Sequence, residues 1–240
     1  MTVEELSAAL ARAAAPAGLA WLQGAIDELG ENAEAIRVRF AMVGRAVGRG
    51  PLDPRADPAD VHAWTIDDAA RALLLIALGD AAEAELDELY RYGDTAERRA
   101  ILRALPYLDL GGRGLGFIDD AIRTNDTRLI AAALGPYATE HLPDAAFDQA
   151  VLKCVFVGVP ISGVDGVPAR ATPQGARMLA AFVLERVVAG RDVPAEVWGV
   201  IDRFSPQAEI AAIERELESA FEDRCRAAER ALGQRGWERA

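Results

Sequence analysis

Helix-start signals recur along this chain at short intervals, and nothing in it alternates as a strand would. Thr2 with Glu5, Thr65 with Asp68 and Asp94 with Glu97 are each spaced as a capping box. In that arrangement the first side chain accepts the N–H three residues on, and the acid reaches back to the first N–H. Apolar residues then follow at helical spacing: Leu6, Leu10 and Ala13, and after Pro16, which suits a first turn, Leu19, Leu22, Ile26 and Leu29. A third helix over 33–47 carries Ile36, Phe40 and Val43, and a fourth buries Leu73, Leu74, Ile76 and Leu78. Shorter helices are predicted over 81–92, 95–107, 114–123, 126–134 and 144–157. Thr172-Pro173 starts another, a short one follows Pro194, and Ser205-Pro206 opens a long last helix. The one segment that could extend, 157–167, is broken by Pro160, Gly163 and Gly166.

The expectation is an all-α fold of stacked helical hairpins, α-solenoid-like in the HEAT manner, although no clean period of about 40 residues is visible. A chain of 240 residues can bury one large core or two small ones, and we expect a single helical domain over 1–240. Its parts are N-terminal helices in 1–47, a Gly- and Pro-rich loop over 48–63, a core from 64 to 200 and a continuous helix over 205–235. Ile210, Ile213, Leu217, Phe221, Cys225, Ala228 and Leu232 form the stripe of that last helix. It serves either to pack on the protein's own body or as the seam of a homodimer.

Charge narrows the partners. The formal net charge of -12 repels phosphate backbones, so nucleic acid is not an expected partner. The longest unbroken apolar runs, 72–78 and 178–184, are far shorter than the about 20 residues a bilayer needs, so no direct membrane insertion is expected. An acidic N-terminus unlike a secretion signal points to the cytoplasm. Cys154 and Cys225 both fall on apolar stripes and read as core residues rather than a disulfide or metal pair. His62 and His141 stand in separate loops without ligand spacing, so no metal site is expected. No phosphate loop, nucleophile elbow or dinucleotide fingerprint is present, and no cofactor is implied. The segment 111–114 (GGRG) reads as a turn between helices.

The ordered segments 64–71 (WTIDDAAR), 86–95 (LDELYRYGDT), 97–106 (ERRAILRALP), 123–125 (RTN), 147–153 (FDQAVLK), 158–160 (GVP), 177–179 (RML) and 193–198 (VPAEVW) together resemble the EboA-domain family. The likeness spans about 64–200 and weakens at both ends. Each motif is weak alone; their order and spacing carry it. The resemblance implies an all-helical accessory protein in the traffic of secondary metabolites. It also implies pathway enzymes and a prenyltransferase-like membrane protein as partners. In this chain Asp148 stands where the family pattern leads one to expect Asn, and the 125–147 segment differs as well.

Six polar residues are the candidate ligand- or partner-binding set: Arg98, Arg103, Arg123, Asn125, Gln149 and Lys153. Lys153 is the only lysine among 26 basic residues, and it lies four positions after Gln149 on an otherwise apolar helix. Such a lysine either snorkels to water or is held by a carboxylate or an anionic ligand. Arg98, Arg99 and Arg103 share one short helix. They either clamp an acidic group or tie neighbouring hairpins together through Asp87, Glu88 or Asp94. Arg123-Thr124-Asn125 sits at a helix junction, where Asn125 suits a cap. Two functional readings follow. The first is a non-catalytic adaptor or metabolite-binding protein that presents these six side chains on one face. The second is an enzyme acting on a small anionic metabolite, with Lys153 or His141 as acid or base.

Overall fold

In the computed structural model, which describes residues 1–235, every named element is helical, and the one extended pairing is an isolated bridge between Pro51 and Thr65. Two compact units make up the chain, residues 1–141 and 142–240.

The first unit contains α1 (Val3–Ala13), α2 (Pro16–Glu31), α3 (Ile36–Ala46), α4 (Ile66–Ala77), α5 (Ala82–Tyr92), α6 (Thr95–Ala104), α7 (Leu115–Arg123), α8 (Thr127–Ala133) and α9 (Pro136–His141). All three predicted capping boxes close, at Thr2, Thr65 and Asp94, and Pro16 occupies a first turn. Helix α4 is the hub. It packs against α1, α2, α3 and α6, while α6 packs in turn on α8. Leu6, Ile36, Phe40, Leu74, Leu75, Ile101 and Ile130 are buried in that core. Removing each such side chain from water contributes about 1.5–3 kcal/mol.

The second unit contains α10 (Asp144–Val157), α11 (Val167–Arg170), α12 (Pro173–Val188), α13 (Val197–Phe204), α14 (Gln207–Arg215) and α15 (Glu222–Gly233). Helix α10 ends at Gly158, whose φ of 84° is the left-handed conformation that a C-terminal glycine supplies without strain. Thr172 caps α12, with Pro173 in its first turn. Helix α12 receives α10, α13, α14 and α15.

The last helix departs from the prediction. Instead of one helix over 205–235, the chain tightens into a 3-10 turn at Glu216–Glu218 and extends at Ser219. There the Ser219 hydroxyl accepts the Phe221 N–H at 3.3 Å, a local turn that competes with the helix ladder. Leu217 and Phe221 lie at this break and are exposed, while Ile210, Ile213 and Ala228 are buried. Folding back lets both α14 and α15 pack on α12, which one straight rod could not do along its length. Two smaller corrections concern single residues. Cys154 is buried as expected, whereas Cys225 is only half-buried, and its thiol lies 3.0 Å from the Leu217 carbonyl near the same break. His141 ends α9 instead of standing in a loop, with its ring 4.5 Å from that of Tyr137.

Candidate functional site: a loop held by buried ion pairs

The polar centre of the first unit starts from a cap. Thr65 and Asp68 exchange hydrogen bonds at the start of α4, Asp68 N–H to Thr65 Oγ1 at 3.4 Å and Thr65 N–H to Asp68 Oδ2 at 3.2 Å. The Thr65 hydroxyl also donates to Asp67 Oδ1 at 2.8 Å and accepts from Arg99 at 2.9 Å. Asp67 binds Arg71 one helical turn on, at 2.8 Å, and Arg71 donates to the Phe40 carbonyl at 3.1 Å while lying over the Phe40 ring. Asp68, with no exposure at all, takes Arg99 at 2.9 Å and Arg103 at 3.1 Å. Charges this deep persist only when paired and hydrogen-bonded, and here each carboxylate meets a guanidinium. Burial lowers the Arg103 pKa, and the neighbouring Asp68 draws it partly back.

Arg103 carries the network outward. It donates to the carbonyls of Ala63 at 2.7 Å and Val61 at 3.2 Å, and lies 5.3 Å over the Trp64 ring. Those residues end the loop predicted over 48–63. Two backbone hydrogen bonds close its base, Leu52 N–H to Trp64 O at 2.8 Å and Ile66 N–H to Gly50 O at 2.9 Å. Within it Asp53, Asp57 and Asp60 each accept the N–H two residues ahead, at 2.8–2.9 Å. Such Asx turns fix a loop without any ladder. Trp64 lines two clefts. One, of about 750 Å³, lies between the loop and Ala9, Arg12 and Ala13 of α1. The other, of about 380 Å³, reaches Arg99, Thr127 and Arg128.

The predicted residues distribute over both units. Arg98 and Arg103 share α6 but diverge: Arg98 donates to the Gly93 and Arg91 carbonyls at 3.1 and 3.2 Å and lies over Tyr90, sealing the end of α5. Neither Arg99 nor Arg103 uses the acids expected for a structural tie. Asp87 and Glu88 are exposed, Asp94 caps α6, and Asp68 takes their place. Arg123 and Asn125 are exposed at the α7–α8 junction, where Asp126 rather than Asn125 caps α8 by accepting from Arg128 N–H at 2.9 Å. In the second unit Gln149 is exposed on α10 near Met178, and Lys153 is half-buried on the same helix.

Sequence reasoning missed Asp67, Asp68, Arg71 and Trp64 as one assembly. The signal was Asp67 and Arg71 placed i, i+4, with Asp68 beside them, on a helix whose remaining residues are apolar. It also missed Asp148, which is buried and accepts the Thr172 hydroxyl at 2.5 Å. Gly175 lies against it, where a Cβ would fall 2.3 Å from Asp148 Oδ1. Among the described residues, no group of three or more His, Cys, Asp or Glu is arranged to hold a metal ion, and no helix is long and apolar enough to cross a membrane.

Fold and site together define an all-helical protein whose signature charges hold a cleft-lining loop in place. The sequence profile of the family described as metabolite traffic protein EboA matches residues 2–202, and the chain belongs to that family. No curated protein and no solved structure matches it.

Proposed function

We propose that the protein is a non-catalytic carrier in the traffic of a small metabolite, holding the molecule in the cleft between α1 and the 50–65 loop. The observation that carries this reading is that Arg103 of the buried ion-pair network holds Ala63 and Trp64, two residues of the loop that lines that cleft. Arg99 and Arg103, the residues best suited to grip a substrate, are spent on Asp68 and on the loop itself. Rigidly supported apolar clefts of about 300–1,000 Å³ are typical small-molecule sites. Family membership adds the setting, metabolite traffic. In this reading the cargo is a secondary metabolite, the place of work is the cytoplasm, and pathway enzymes and a prenyltransferase-like membrane protein are the partners that exchange it.

Small-molecule capture from native-host extract, read by mass spectrometry, tests the reading. Wild type should enrich a defined compound unchanged in mass, and Ala9→Trp, which fills the cleft from α1, should lose it. A compound enriched equally by both variants sinks the cleft assignment. Chemical conversion of the compound during incubation would favour the enzyme reading, with Lys153 or His141 as acid or base.

A further inference from the structure

A cavity of about 370 Å³ lies wholly within residues 142–240. Glu196, Gly199, Val200 and Arg203 line it, at the spacing of one face of a helix, from the cap of α13 to its last turn. Between them Val197, Trp198 and Ile201 are buried instead. A Cβ at position 199 would therefore point toward the cavity, and glycine leaves that space open. Glycine inside a helix costs stability relative to alanine, so helix formation does not explain its presence here. Ile161, Val167, Pro168 and Ala171 add further apolar lining. The cavity also has its charges accounted for. Glu196 Oε1 accepts the Ile161 N–H at 2.9 Å and Oε2 the Ser162 N–H at 3.0 Å, so backbone takes both oxygens. Arg203 donates to the Pro168 carbonyl and is exposed to water. Among the described lining residues one acid and one base leave no net charge.

We propose that this cavity is a second small-molecule site, and that it takes a compact, uncharged, largely apolar molecule. It stands apart from the cleft beside α1, and neither reading needs the other. A charged ligand would give up its hydration to a lining without net charge, whose carboxylate is already engaged. An uncharged one gives up little, and contact with Ile161, Val167, Ala171 and Val200 supplies its affinity. The volume is near the lower end of the about 300–1,000 Å³ usual for small-molecule sites, which limits the ligand to a single small ring system.

Three probes that share one ring system test this: indole, tryptamine and indole-3-acetate, which are neutral, cationic and anionic at pH 7. Each is titrated into the isotope-labelled full chain and followed by amide chemical shifts. Indole should move amides within 161–171 and 196–203, and each ion should bind there at least about tenfold more weakly. Gly199→Leu, which fills the cavity from α13, should abolish those shifts. Ala171→Leu, which fills it from another segment, should weaken them. The wild-type titration alone overturns the proposal if indole leaves both segments unmoved, or if either ion binds there as tightly as indole. Undiminished shifts in a Gly199→Leu protein of wild-type circular dichroism overturn it too. Should Gly199→Leu fail to fold, undiminished shifts in Ala171→Leu decide the same point.

Discussion

Asp68, at the start of α4, is ion-paired to Arg99 of α6 at 2.9 Å with no exposure to solvent. Arg103 completes the grip from the same helix at 3.1 Å. This carboxylate therefore fastens the most closely associated helix pair of the first unit and the loop before α4 at one point.

Asp68→Asn keeps the side-chain shape but leaves buried Arg103 and partly buried Arg99 without their counter-charge. We predict a loss of about 3–5 kcal/mol, measured by urea unfolding. The exposed pair Arg226–Glu222 on α15 gives the contrast: Arg226→Gln should cost less than about 1 kcal/mol. Comparable costs would mean that the α4–α6 pairs are not the anchor described.

Arg98 and Arg103 are five positions apart on α6 and should behave differently. Arg98 caps carbonyls at the edge of α5, so Arg98→Gln should cost about 1 kcal/mol. Arg103→Gln removes a buried ion pair and two loop hydrogen bonds, and should cost about 3 kcal/mol or more. Thermal melts of the two variants compare them directly.

In the second unit, Gly175 leaves room for Asp148. Gly175→Ala places a methyl group against a carboxylate already bound to Thr172, and should cost about 1–3 kcal/mol. In a double-mutant cycle with Asp148→Ala, the two losses should sum to more than the double variant shows. Simple additivity would show that the methyl group finds space elsewhere.

The two thiols should differ in reactivity. Burial, with Glu196 nearby, pushes the Cys154 pKa up to about 12, so no useful thiolate forms at pH 8. Iodoacetamide should label half-buried Cys225 in the native protein and reach Cys154 only after unfolding. Equal native labelling, read by peptide mass spectrometry, would place Cys154 outside the core.

Local chemistry was legible in the sequence and long-range pairing was not. The boxes at Thr2, Thr65 and Asp94 and the Pro-rich loop were readable because each depends on residues two to four apart. The Asp68–Arg99 pair joins residues 31 apart, and no periodicity encodes which acid a surface-like arginine will meet once its helix is packed inward. The stripe through Leu217 and Phe221 likewise matched a continuous helix. Packing of α14 and α15 on a common neighbour, α12, together with the Ser219 turn, accounts for a break that leaves both residues exposed. Asn125 looked like a cap, yet the adjacent Asp126 provides it with a charged acceptor.

Hydrogen exchange of the 53–63 amides, compared between wild type and Arg103→Gln, tests most directly whether the buried ion pairs hold the cleft-forming loop. The account predicts that exchange in this loop accelerates at least about tenfold in the variant, while α10, α12 and α13 keep their wild-type protection. Unchanged protection of the loop, or a loss spread evenly over all helices, would contradict it.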